Sequence, residues 1–209
     1  MFISDRQTRD YIFGLLGSCV AEHYIRATNP TINLLASDIS NLPLLGMDDQ
    51  KKKEAVAAIV ESCVEIARED WDSFETSWDF TYHPMLPVYA DDENYAYRIE
   101  AFYHAWENRC ERRFYQLKEN EEALNKLFIE IYGLQDELTP EVEDKDVTVR
   151  KADLARDIKS LISYAVGCMF GRYNLWHAGI TYAGGDWVPS SYDRFPADKD
   201  INLATKYFL

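Results

Sequence analysis

Between Tyr95 and Ile131 the chain repeats apolar residues mostly by threes and fours: Tyr95, Ile99, Tyr103, Trp106, Cys110, Phe114, Leu117, Leu124, Phe128 and Ile131. That spacing lines them along one side of a helix, as in a coiled-coil seam, with a lapse near Glu121. At 1.5 Å per residue, an unbroken helix over this span extends about 55 Å. A small domain is narrower than that, so the helix either bridges two bodies or pairs with an antiparallel partner. Gly133 is placed to end it. The seam therefore predicts a mainly α fold with a small β element, a helical spacer or bundle built around one long coiled-coil-like helix.

The rest of the chain supplies shorter elements. Ser4, Asp5, Arg6 and Gln7 have capping-box spacing, and Ile12, Leu15, Leu16, Cys19, Val20 and Tyr24 follow as one helix face that Pro30 bounds. "TINLLAS", residues 31–37, is short, β-branched and aliphatic between polar turn formers, which predicts a strand. A hairpin near the end of the chain is the other β candidate. Asp48 or Asp49 is placed to cap a second helix striped by Val56, Ile59, Val60, Cys63, Val64 and Ala67, running on to Trp71 and Phe74. Pro84 and Pro87 then make "WDSFETSWDFTYHPMLP" a loop, too aromatic to be a solvated linker. After the acidic connector "QDELTPEVEDKDVTVRK", Leu154, Ile158, Leu161, Ile162, Ala165 and Met169 mark a further helix. Gly167 and Gly171 give it a small-xxx-small spacing, which predicts close packing against another helix. The organisation read from these elements is 1–47, a helix plus strand; 48–90, a spacer helix and aromatic loop; 91–175, the long helix, connector and further helix; and 176–209, a turn-rich aromatic tail.

Charge and cysteine usage narrow the function classes. A formal charge of -14 over 209 residues argues against broad, unspecific nucleic-acid binding, which needs clustered Lys and Arg to release counterions from phosphate. Cys19, Cys63, Cys110 and Cys168 are far apart and lie in apolar stripes, so buried reduced thiols are expected and not a zinc site or disulfide framework. "MFISDRQTRD" lacks the apolar core of a signal peptide, and no run reaches membrane-spanning length, so the expected location is cytoplasmic with no membrane partner.

Few motifs carry chemistry. Asn29-Pro30 opens like the Asn-Pro-Pro-aromatic loop of amine-methylating DNA methyltransferases, in which the Asn side chain accepts from the target amine and the aromatic stacks on an extruded base. Thr31 and Ile32 occupy the third and fourth positions here, and isoleucine has no π-face. The pair reads as a helix stop and not as a catalytic loop. "YAGGDW" follows a helix and a polar stretch instead of linking a strand to a helix, so it is a turn and not a nucleotide cradle. His23, His83, His104 and His177 lack metal-ligand spacing, and no serine-nucleophile signature is present. Two basic clusters are the candidate DNA-phosphate contacts. Lys51, Lys52 and Lys53 start the second helix, where its dipole disfavours cations, and Arg109, Arg112 and Arg113 lie on the long helix within reach of Glu107 and Glu111. A solvated face is the alternative for each. Trp71, Trp78, Phe80 and Tyr82 are candidates for base stacking or, more simply, an aromatic clasp holding the loop to the helices.

"DWDSFETSWDF" with "HPML", the block from "FYQLKENEEALNKLFIEIYGLQDELTPEVEDKD" to "ISYAVGCMFGRY", then "YAGGDW" and "FPADKD" together resemble one family. It is the large adenine-specific DNA methyltransferase of BREX-type phage defence (PglX-like), akin to single-chain restriction-modification enzymes. The resemblance runs from about the first helix to Asp200 and implies a carboxy-terminal piece of such an enzyme. "NPTINLLASDISNLPLL" resembles the stretch closing a target-recognition region, before a spacer helix. Family members are several times longer, and their S-adenosylmethionine-binding and Asn-Pro-Pro-aromatic motifs lie upstream of the matched region. The resemblance therefore assigns no catalytic, cofactor-binding or metal residue to this chain, and activity alone is not expected. S-adenosylmethionine is the cofactor of the full-length family, and DNA is a partner only in the context of the full enzyme. "INLATKYFL" departs from the family's continuation, which implies a truncated or frameshifted product. A second expectation is a self-standing helical adaptor for other defence subunits, with possible self-association through the long helix.

Overall fold

The computed structural model describes residues 5–29, 31, 33–86, 99–175 and 177–186. Among these, the helices are α1 (Arg6–Leu16), α2 (Cys19–Thr28), α3 (Ala36–Ser40), α4 (Gln50–Asp72), α5 (Ile99–Tyr132) and α6 (Leu154–Met169). Strands β1 (Tyr173–Asn174) and β2 (His177–Ile180) form an antiparallel pair in which Tyr173 faces Ile180. The fold is mainly α with a small β element, as the seam predicts. The chain divides into two compact units, residues 1–67 with 113–149 and residues 68–112 with 150–209, so α4 and α5 contribute to both.

In the first unit the N-terminal helix breaks in two, where one continuous helix was expected. Ser18, buried, has its own extended backbone and caps α2, its hydroxyl donating to the Leu15 carbonyl at 2.7 Å and receiving the Ala21 N–H. A capping serine inside an apolar stripe is thus a helix boundary. Asp5 caps α1 by accepting from the Thr8 N–H at 2.9 Å, while Ser4 lies outside the described residues. Tyr11, Leu15, Val20, Val56, Val60, Leu124, Phe128 and Ile129 then close one core, with the Tyr11 and Phe128 rings edge-on at 5.3 Å. Each such side chain contributes roughly 1.5–3 kcal/mol on burial. Gly14 makes the approach of α1 to α4 possible, since a Cβ there would lie 2.9 Å from Val56 Cγ1.

α5 ends where its sequence says it should. Gly133 adopts φ +69°, and the Leu134 N–H returns to the Ile129 carbonyl at 3.0 Å, a Schellman closure. The expected start at Tyr95 lies outside the described residues. The acidic connector is not merely solvated: Val147 and Val149 pack with Ile66, Phe114 and Leu117 in a second cluster. Lys118 pairs with Asp144 at 2.7 Å beside it.

The strand expected over residues 31–37 is not formed. Thr31 sits in a bend, 33–35 are irregular, and Ala36 and Ser37 begin α3. The cause is local. Asn29 and Asp38 offer the backbone side-chain partners that a strand ladder would otherwise supply: the Thr31 N–H donates to Asn29 Oδ1 at 3.0 Å, and the Leu35 N–H to Asp38 Oδ2 at 2.8 Å.

In the second unit, Met85, Phe102, Trp106 and Cys110 form one cluster, joined by Ile158 and Leu161 of α6. Phe80, Tyr164 and Tyr173 form another, the two tyrosine rings stacked at 4.9 Å. The α6 glycines act differently from the expected helix–helix contact. Gly167 lies under the Tyr173 ring, 2.6 Å from where its Cβ would be, and Gly171 at φ +75° ends the helix, with the Arg172 N–H bonded to the Gly167 carbonyl at 2.8 Å. Both serve the turn into β1. Arg150 anchors the connector's end: its Nε donates to Asp70 Oδ2 at 3.0 Å while its guanidinium lies 3.5 Å over the Phe74 ring.

Candidate functional site

The candidate phosphate contacts fall in both units. Lys51, Lys52 and Lys53 occupy the first turn of α4 in the first unit, with Lys51 and Lys52 exposed. Their position against the helix dipole is offset locally, because Asp49 Oδ1 accepts the Lys51 and Lys52 N–H groups at 3.0 and 3.3 Å. Arg113 belongs to the same unit and is half-buried. Arg109 and Arg112 belong to the second unit, and both are exposed. Arg109 is engaged within its unit: Nη2 donates to the Pro84 carbonyl, and the guanidinium lies 5.4 Å from the Trp106 ring. Glu107 holds His104 Nδ1 at 3.1 Å. Lys51, Lys52, Arg109 and Arg112 are thus the exposed members of the two clusters.

Asn29 is committed to its own turn. Its Oδ1 accepts from both the Thr31 N–H and the Thr31 hydroxyl, and its Nδ2 donates to the Asn33 carbonyl at 3.0 Å and to Asp38 Oδ2 at 2.7 Å. A methyltransferase asparagine must keep its amide oxygen for the target amine. Here that oxygen already holds two donors. The same bond from Asn29, followed by that from Leu35, holds the Asp38 carboxyl below the usual carboxylate range. Asn29→Ala is expected to cost about 1 kcal/mol, and to speed amide exchange over residues 31–38 while exchange in α4 stays unchanged. Equal acceleration in α4 would show that the turn is not a local unit.

The aromatic loop divides by depth. Phe80 is buried against Tyr164 and Tyr173, so it clasps the loop to α6 and β1, and Tyr82 is half-buried. Trp78 is 97% exposed, and Trp71 is also exposed. All four cysteines are free thiols, and only Cys110 is fully buried. Burial pushes the Cys63 thiol up to about 11, and raises those of Cys19 and Cys168, so these three are not poised as nucleophiles.

The most elaborate polar constellation was not singled out in the sequence. Asp157, 2% exposed, accepts from Trp106 Nε1 at 2.8 Å, Arg156 Nε at 2.7 Å and the Asp153 N–H at 3.0 Å. Near it His83 is buried, with Nε2 3.2 Å from Ser160 Oγ. A carboxylate inside the apolar stripe of α6 was the available signal, one turn after the capping Asp153. Its bonds tie the start of α6 to Trp106 of α5 within the second unit, so its arrangement supports the fold of that unit. Among the described residues no group of three or more His, Cys, Asp and Glu side chains is placed to hold a metal ion, and no helix is long and apolar enough to cross a membrane.

No protein-family model matches the sequence. Two curated proteins do. The adenine-specific methyltransferase PglX of Lacticaseibacillus casei (strain Zhang) is 43% identical over 199 residues, which is 95% of this chain and 16% of that protein. The adenine-specific methyltransferase BrxX of Escherichia coli O9:H4 (strain HS) is 27% identical over 90% of this chain and 17% of its own length. The chain thus spans about a sixth of the relatives it matches. Along nearly its whole length, this chain is similar to one segment of the PglX-type adenine-specific methyltransferases.

Proposed function

We propose that the chain is a non-catalytic segment of an adenine-specific DNA methyltransferase of a BREX-type phage-defence system, and that it positions target recognition relative to the catalytic part. The observation that carries this reading is the 43% identity to PglX along 95% of the chain. The side-chain chemistry supports it: Asn29 is tied into its turn, the thiols of Cys19, Cys63 and Cys168 are raised, and the Asp157 cluster is bonded to its own unit. In the whole enzyme, S-adenosylmethionine would supply the methyl group from a site outside this segment. Lys51, Lys52, Lys53, Arg109, Arg112 and Arg113 would add phosphate contacts that set register without reading sequence.

A chimera tests this. The matched segment of the Lacticaseibacillus casei methyltransferase is replaced by this chain or deleted, and adenine methylation is mapped on DNA. The chimera is expected to methylate at the parent's site and the deletion to lose that activity. Purified chain alone is expected to transfer no labelled methyl group. Site-specific methylation by the deletion protein, or label transferred by the chain alone, would overturn the reading.

A further inference from the structure

We draw no further inference here: the strongest candidate, the exposed apolar stripe of Ile162, Val166, Met169 and Phe170 along α6, carries none because nothing in the structure shows what covers it.

Discussion

Asp157→Ala is expected to remove about 3–4 kcal/mol from the stability of the second unit, because it deletes the acceptor at the centre of a buried charge-assisted network. The carboxylate takes four donors: Trp106 Nε1 at 2.8 Å, Arg156 Nε at 2.7 Å, Arg156 Nη2 at 3.2 Å and the Asp153 N–H at 3.0 Å. Trp106 is itself buried, so water cannot replace the lost acceptor without opening the cluster with Met85, Phe102 and Cys110. Arg156 retains part of its solvation, being partly exposed, and this keeps the loss below the upper end for a broken buried ion pair. The helix start is weakened as well. Asp153 receives the Arg156 N–H and gives its own N–H to Asp157, a reciprocal cap of α6 that also suits the positive end of the dipole. Asp157→Asn keeps one acceptor oxygen but turns an N–H₂ toward other donors, so it should lose about half as much. Urea unfolding followed by Trp fluorescence and far-ultraviolet circular dichroism measures both. A loss below about 1 kcal/mol for the alanine variant would show that the network contributes little net stability.

Much of this fold is legible in the sequence where one physical signal dominates. The nine seam positions from Ile99 to Ile131 with Gly133 are enough to place α5 over the described residues, and the Asp49 cap with the stripe from Val56 to Ala67 places α4, because period, terminator and cap agree. The sequence reading fails where side chains compete with periodicity. In "TINLLAS" the β-branched and aliphatic residues argue for a strand, yet Asn29 and Asp38 satisfy the local backbone and leave a bend followed by α3. At Ser18 a polar residue within an apolar stripe ends one helix and begins another. In α6 the inner side carries a buried carboxylate, Asp157, while Ile162 and Met169 of the expected stripe lie outside. Periodicity alone cannot tell these two sides apart. The resemblance to the methyltransferases rests on whole blocks of sequence, and the catalytic reading of Asn29 fails at Thr31 and Ile32 on residue type alone.

Lowering the pH from 7 to 5 is expected to cost the second unit about 2 kcal/mol through His83 alone. Nδ1 of this ring accepts the Met85 N–H at 3.4 Å, so the ring hydrogen sits on Nε2, facing Ser160 Oγ at 3.2 Å. Protonation would put a second hydrogen on Nδ1, directly opposite the Met85 N–H, in a site that is almost dry. Burial accordingly drives the ring down from 6.5 to about 4, with the negative Asp157 pulling weakly the other way. Between those two values the unfolded chain binds a proton that the folded chain refuses. Stability is therefore complete above about pH 6.5, falls as the pH drops toward 4, and loses no more through this group below that. His83→Gln removes the titration while keeping a polar side chain, so its unfolding free energy should vary less over the same interval. Comparing the urea-derived difference between pH 7 and pH 5 in the two proteins isolates the histidine from the carboxylates common to both. Identical differences would mean that His83 takes up its proton in the folded chain as readily as in the unfolded one, and the tautomer assigned from Met85 would have to be abandoned.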